Sequence, residues 1–210
     1  IFNSKVEKFL TTGGMQYFGD SLNTYDAVNA LNDAVKGKQF ASQIYIYFWQ
    51  GDYVLSSQTV TDKRSFFDFT HASDSLDFNK WEEIMTSQSA KEIITLPGTG
   101  GECYVAYVGT HPLGGIGKSN ATVVILVENE KFWDFNFPPE FGLSVFNSEN
   151  QPISLSKELV NDTSIIDKME NTHEGQFVPK RLNGKKYLLS LWKSGESGIK
   201  YVSIIEQSKF

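Results

Sequence analysis

The clearest pattern of hydrophobic and polar positions lies in Ile44 to Ser57, with the sequence IYIYFWQGDYVLSS. Its first five residues are all β-branched or aromatic, the side chains that fit a pleated, half-buried surface. Turn-forming residues follow at 50–52, and positions 53–55 resume the strand pattern. The pattern predicts a β-hairpin, which we expect at the edge of an antiparallel sheet.

Helical spacing precedes this hairpin. Apolar residues over positions 1–12 predict the end of one helix, and apolar positions recur every three or four residues over 22–35, which predicts a second. Ser21 or Asn23 would cap the second helix, and Gly37 would end it. We therefore expect a long helical entry into the sheet.

Short helices and further strands are expected after the hairpin. Residues 62–70, rich in phenylalanine, form a short helix or an ordered loop, and Asp77 or Asn79 caps a helix that carries Trp81. The apolar run at 122–127 indicates a central strand covered on both faces. The strands predicted in the rest of the chain cover 92–96, 102–110, 121–128, 142–146, 185–192 and 199–205.

A change of composition divides the chain. The segment FWDFNFPP at 132–139 ends in Pro138-Pro139, which cannot continue a helix or a central strand. The fold class predicted is α+β, with a long N-terminal helix followed by two modules with antiparallel sheets. We assign 1–40 to the helical segment, 41–131 to the first module and 132–210 to the second.

Composition and charge exclude several classes of protein. The chain is 40% apolar and 14% aromatic, so it can bury a substantial core. A net charge of −6 argues against binding nucleic acid through a basic face. Cys103 is the single cysteine, which excludes an intrachain disulfide, and its apolar neighbours predict a buried, inert thiol. No stretch approaches the roughly 18–20 apolar residues of a membrane span.

The motifs that could carry catalysis or cofactor binding are weak. The loop GGIGKS at 114–119 lacks the first glycine of a phosphate-binding loop, since Pro112 occupies that position. His71, His111 and His173 lack metal-ligand spacing. We therefore predict no metal, no cofactor, no catalytic residue and no enzymatic activity. Acidic residues near the aromatics are expected as caps and turns: Asp62, Asp68, Asp74 and Asp77.

Large aromatic and polar side chains of the first module remain as candidates. They could stack on a small ligand and hydrogen bond to it, or they could fill the core, and the sequence leaves both interpretations open. The residues in this set are Tyr45, Tyr47, Arg64, Phe66, Phe67, His71, Trp81, Tyr104 and Tyr107.

Several segments together resemble a double Cache sensor domain. They are the hairpin at 44–57, the Phe-rich RSFFDFT, the pair ECYVAYVGT and ATVVILVENEKF, and the final KKYLLSLWKSGESGIKYVSIIE. The resemblance covers nearly the whole chain and is to the extracellular sensors of Gram-positive membrane-bound AraC-type regulators and sensor histidine kinases. It implies two PAS-like (Cache) modules, with ligand bound in the membrane-distal first module.

The resemblance also implies partners and a location. We expect the domain on the extracellular side of the cell membrane, flanked by membrane spans in a longer protein. A homodimer formed through the N-terminal helix is compatible with this arrangement. Trp81 is followed by Glu82 rather than tyrosine and no arginine lies just before it, so the amino-acid-binding signature of some family members is incomplete here, and the ligand expected is a small polar molecule. The ligand-binding residues we predict are Tyr47, Arg64, Phe66, Trp81, Tyr104 and Tyr107.

Two other functions stay open. A secreted hydrolase would need a nucleophile and base, or a metal site. A surface protein-interaction domain would need no such residues. Flanking sequence would separate these from a sensor.

Overall fold

A computed structural model describes Val6 and residues 21–37, 41–87, 92–113, 119–128, 141–156, 159, 165–169, 172–195 and 198–209. The chain divides into two compact units, Ile1–Phe132 and Trp133–Phe210. The helix predicted over 1–12, apart from Val6, and the junction predicted at 132–139 lie outside the described residues. The boundaries assigned at 40 and 131 therefore stay predictions.

The first unit combines helices with one sheet. The helices are α1 (Ser21–Gly37), α2 (Lys63–Thr70) and α3 (Phe78–Thr86). The strands are β1 (Gln43–Phe48), β2 (Val54–Ser56), β3 (Val60–Thr61), β4 (Glu92–Pro97), β5 (Cys103–Leu113) and β6 (Ser119–Glu128).

The sheet of the first unit is antiparallel, with strand order β3-β2-β1-β6-β5-β4. The β1–β2 hairpin is confirmed, with Tyr47 opposite Val54. Its predicted place at the sheet edge is wrong, because β1 pairs along its whole length with β6 and β3 forms the edge. The central position of β6 is confirmed, since β1 and β5 flank it.

Both faces of this sheet are covered. On one face α1 packs Ala27 and Leu31 against alternate residues of the strands, among them Ile46. On the other face Tyr45, Tyr47, Val124 and Leu126 lie in a core with residues of α2 and α3. A strand sends successive side chains to opposite faces, so β1 contributes its tyrosines to one core and its isoleucines to the other.

The second unit contains a separate sheet of order β8-β7-β11-β10-β9. Its core joins the sheet to α4 (Ile165–Met169) through Phe146, Leu189 and Ile166. The strands are β7 (Phe141–Phe146), β8 (Pro152–Ser154), β9 (Val178–Leu182), β10 (Lys185–Lys193) and β11 (Lys200–Glu206). The predicted α+β class, a helix followed by two antiparallel sheets, is confirmed.

The prediction that Cys103 is a buried thiol is wrong. It is exposed, because it is the first residue of β5 and lies opposite Pro97 at the end of the edge strand β4. The apolar run that contains it becomes buried only further along the strand, at Val105 and Ala106. Among the described residues, no helix has the length and apolar character needed to cross a membrane.

Candidate functional site

Helices α2 and α3 cover the face of the first sheet that carries the β1 tyrosines, and both begin at an aspartate cap. Asp62 Oδ1 accepts a hydrogen bond from the Ser65 N–H at 2.8 Å, and Asp77 Oδ1 accepts one from the Lys80 N–H at 2.9 Å. The bond from Ser65 holds the pKa of the Asp62 carboxyl below its usual value. The expectation that these two acids are caps is therefore confirmed.

A packed group of aromatic rings lies between these helices and the sheet. Trp81, fully buried, meets Tyr47 edge to face with ring centroids 5.3 Å apart, and its ring lies 5.6 Å from Phe67. Tyr45 packs on Phe66 at 4.7 Å. Such pairs contribute about 0.5–1.5 kcal/mol each beyond the area they bury. The rings therefore fix α2 and α3 on the sheet.

A chain of hydrogen bonds runs through this group. The Trp81 indole N–H donates to the Tyr45 hydroxyl at 3.4 Å, and that hydroxyl lies 3.1 Å from His71 Nε2. His71 Nδ1 lies 2.9 Å from the Pro97 carbonyl oxygen. A carbonyl can only accept, so Nδ1 carries the proton and Nε2 accepts from Tyr45. Helix α2, helix α3, β1 and β4 are thereby joined at one buried point.

Burial determines the charge of this histidine. His71 has no exposed surface, and desolvation lowers its pKa to about 4, although the hydrogen bond to Pro97 opposes the shift. Burial likewise raises the pKa of the Tyr45 hydroxyl. At neutral pH both groups are therefore uncharged.

A buried lysine lies beside the second β1 tyrosine. Lys63 is 6% exposed, and its Nζ lies 4.1 Å from the centroid of the Tyr47 ring and 4.0 Å from Glu82 Oε1. The Tyr47 hydroxyl donates to the same Glu82 oxygen at 2.8 Å. Burial lowers the pKa of the Lys63 ammonium, while Glu82 and Asp52 oppose the shift. The ammonium is thus held by a ring face and a carboxylate, which links the start of α2 to α3.

An open cleft of about 290 Å³ is lined by residues of α2, of the connection at 72–77 and of the start of α3. Phe67, Leu76 and Phe78 supply its apolar wall, and Arg64, Asp68 and Asp77 supply charge. Arg64 stacks its guanidinium on the Phe78 ring at 5.2 Å, and its Nε donates to Asp68 at 3.2 Å. No described residue accepts a hydrogen bond from its two terminal amino groups. The cleft thus combines an apolar wall with N–H donors that face solvent.

The structure separates the six residues predicted to bind ligand. Tyr47, Phe66 and Trp81 are in the core beneath α2 and α3, and Tyr104 packs against that core as a partly buried side chain. Arg64 lies in the cleft outside the helices.

Tyr107 lies on the opposite face of the sheet, because it is three residues from Tyr104 along one strand. Its ring leans over Gly109, where an added Cβ would lie 3.1 Å from the tyrosine ring.

Several residues of this site were missed at the sequence level. Phe78, Lys63 and Glu82 were not singled out, and Tyr45 and His71 were noted without being assigned to the site. Helical spacing carries part of the signal, since 78 and 82 are four residues apart and lie on one side of α3. The contact of Lys63 with Tyr47 joins a helix to a strand, which no local pattern predicts.

Metal and cofactor chemistry finds little support in the described part of the chain. No group of three or more His, Cys, Asp or Glu residues is arranged there to hold a metal ion. Both ring nitrogens of His71 have protein partners, and His173 is exposed. The loop at 114–118, which contains most of GGIGKS, lies outside the described residues.

Comparisons with known proteins give matches at the level of structure alone. No protein-family model matches the chain, and no curated protein matches it by sequence. The extracellular domain of soHK1S-Z6, described as a histidine kinase, matches with a TM-score of 0.61 and 12% identity, covering 98% of this chain and 90% of that one.

Two ligand-binding domains whose structures contain a bound amino acid also match. That of the Campylobacter jejuni chemoreceptor Tlp3 in complex with L-norvaline gives a TM-score of 0.57 at 16% identity, covering 99% of this chain and 82% of that one. That of Mlp24 with asparagine gives 0.53 at 12% identity, covering 98% and 81%. The chain therefore has the Cache/PAS-like fold of extracellular sensor domains.

Proposed function

We propose that this chain is the extracellular ligand-binding sensor domain of a transmembrane signalling receptor. The receptor is a membrane-bound AraC-type regulator or a sensor histidine kinase of a Gram-positive cell. The first unit binds a small polar organic molecule on the side covered by α2 and α3. A fold match with a histidine kinase extracellular domain over 98% of the chain is the observation that supports the sensor role.

The polar groups of the first unit support its choice as the binding unit. Its helix-covered face holds a neutral histidine, a lysine and two tyrosine hydroxyls that an apolar core does not require, next to the open cleft. In the second unit, the buried Lys200 donates to the carbonyl of Ser148 at 3.2 Å and to the side chain of Asn150. That lysine therefore holds a turn, and the other buried polar side chains described in the second unit are the small hydroxyls of Ser144, Ser154 and Ser190.

Arg64 is the proposed direct contact. Its side chain is 65% exposed, and among the described residues it is held only by Asp68 and by stacking on Phe78. The planar guanidinium presents a fork of donors that suits a carboxylate or a hydroxyl group. Phe67 and Phe78 would contact the apolar part of the ligand, and the Asp68 carboxylate would accept from ligand hydroxyl or amino groups.

The buried aromatics act behind this contact. Phe66 and Phe67 are adjacent on α2, with Phe67 in the cleft wall and Phe66 packed on Tyr45 beneath it. A ligand that bridges Arg64 to α3 would favour one arrangement of the two helices over the sheet. Binding would then act as a shift of population between arrangements.

We assign no catalytic activity to this domain. His71, which could serve as a general base elsewhere, has partners on both nitrogens and no exposed surface. A general base must reach a proton of the substrate, so this histidine stays structural.

A thermal-shift screen of small carboxylates, polyols and amino acids tests the proposal. A ligand at about 100 times its Kd would stabilise the domain by about 2.7 kcal/mol. Loss of a charged hydrogen bond in Arg64→Gln should weaken binding by about ten- to a hundred-fold. Arg181→Gln, which makes the same change in the second unit, is the matched control. A ligand whose affinity Arg64→Gln leaves unchanged would refute the role of Arg64, and a screen without hits would count against the sensor function.

A further inference from the structure

The β9–β10 hairpin carries the densest run of positive charge in the chain. Lys180, Arg181, Lys185 and Lys186 lie within it, and no aspartate or glutamate occurs over 175–193. This is unusual in a chain with 25 acidic residues and a net charge of −6.

The tip of this hairpin has a defined shape. Leu182 lies opposite Lys185, so the connection is the two-residue turn Asn183-Gly184. Both turn residues have positive φ, at 49° and 81°, which is the conformation of the tight turns that match strand twist. The backbone that carries the four cations is therefore held by a tight turn.

Two of these cations oppose each other directly. Arg181 and Lys186 are partners in the strand register and therefore lie on one face. Both are exposed, and neither forms an ion pair with any described residue. Like charges at opposite positions destabilise a sheet. On the other face, Lys185 approaches Glu206, with Nζ and Oε2 3.5 Å apart.

Protection of a sheet edge explains only half of this pattern. Lysines on edge strands prevent pairing with other chains, and β9 is an edge strand. That accounts for Lys180 and Arg181. It does not account for Lys185 and Lys186, because β10 lies between β9 and β11 inside the sheet.

The placement of the charges selects the kind of partner. Because successive residues point to opposite faces, Arg181 and Lys186 diverge from Lys180 and Lys185. A single small anion cannot meet cations on both faces, whereas an extended anionic surface that the hairpin meets with its tip lies within reach of the long side chains on both faces.

We propose that the tip of the β9–β10 hairpin docks on the anionic lipid headgroups of a membrane surface. This goes beyond the proposed function and relies on it only to bring a membrane within reach.

Vesicle binding of the whole chain tests the proposal. Vesicles of phosphatidylcholine, with and without about a third phosphatidylglycerol, are compared at low and at physiological ionic strength, since screening weakens exposed charges. The chain should bind only the phosphatidylglycerol vesicles, and more weakly as salt rises. Arg181→Gln with Lys186→Gln should weaken binding by about twenty-five-fold, or five-fold for each cation, which corresponds to about 1 kcal/mol each.

Controls separate docking from a change of fold or of net charge. Lys36→Gln with Lys80→Gln, exposed residues of the first unit, removes the same charge and should leave binding unchanged. The Arg181–Lys186 variant should not lower the melting temperature, because it relieves a repulsion. If it aggregates, Lys186→Gln alone, on the inner strand, replaces it with an expected loss of about five-fold.

Three results would overturn the proposal. The first is that the chain binds both vesicle types equally or binds neither. The second is that the Arg181→Gln, Lys186→Gln variant binds vesicles as tightly as the wild type. The third is that the chain binds soluble inorganic polyphosphate at least as tightly as it binds vesicles. Failure of the sensor function is distinguishable from these outcomes, because it is measured by ligand-induced thermal shifts without lipid.

Discussion

Acidification should destabilise the first unit through His71. In the folded chain its pKa is about 4, against an ordinary value of 6.5. Between these values the unfolded chain binds a proton that the folded chain does not, so stability falls as the pH falls. Each pH unit between 6.5 and 4 lowers the free energy of unfolding by about 1.4 kcal/mol, which gives about 3 kcal/mol in all. Below about pH 4 this group causes no further loss of stability.

The surroundings of His71 explain why protonation is costly. Tyr45, Phe66 and Trp81 face it with rings, and no described charged side chain contacts it to compensate a positive charge. A proton on Nε2 would also turn the Tyr45 hydroxyl away, toward Met85 Sδ at 3.8 Å. Both effects favour the neutral imidazole in the folded state.

Two measurements check this prediction. An NMR titration of the imidazole signals should place the pKa of His71 near 4. Urea unfolding across the same pH range should show a slope in the wild type that is reduced in His71→Gln and retained in His173→Gln. Titration of His71 near its ordinary pKa, with equal slopes for all three proteins, would refute the reasoning.

Three further changes have expected outcomes that urea or thermal unfolding can check. Tyr45→Phe leaves Trp81 Nε1 and His71 Nε2 without a partner and should cost about 1–3 kcal/mol. Tyr107→Phe, on a partly exposed ring, should cost less than about 0.5 kcal/mol. Equal losses for the two variants would contradict the buried hydrogen-bond chain. Trp81→Ala should cost about 3–5 kcal/mol because Trp81 is fully buried, and a small loss would mean that the ring does not hold α2 and α3 together. Gly184→Ala forces a side chain onto a φ of 81° and should cost about 1 kcal/mol, while an unchanged melting temperature would argue against the tight turn.

The elements of this fold could be predicted from sequence where local chemistry determines them. The β1–β2 hairpin follows from a run of β-branched and aromatic residues ended by turn formers. The starts of α2 and α3 follow from Asp62 and Asp77, whose side chains satisfy backbone N–H groups. Strand β9 was missed, because Pro179 and the basic residues beside it do not form an apolar strand pattern.

The candidate site was only partly predictable. The period of two along β5 already separates Tyr104 from Tyr107, so assigning both to one pocket overlooked available information. That Trp81 fills the space under the helices, while Arg64 lies outside them, depends on how α2 and α3 lie on the sheet. Contacts between elements distant in sequence determine that arrangement.

The exposure of Cys103 had a similar cause. An apolar neighbourhood in sequence predicts burial, but the register of β5 with the short edge strand β4 leaves the first residue of the strand at the surface. The end of a strand is therefore less buried than its apolar neighbours indicate.

The central claim is that the first unit binds the ligand on its α2–α3 side, and the indole N–H signals of two tryptophans test it most directly. Trp81 lies beneath these helices, and Trp192, 53% exposed, lies in the second unit. Trp81→Phe and Trp192→Phe assign the two signals. Titration with the tightest compound from the screen should shift the Trp81 signal and leave the Trp192 signal in place. A shift of Trp192 without a shift of Trp81 would contradict the account.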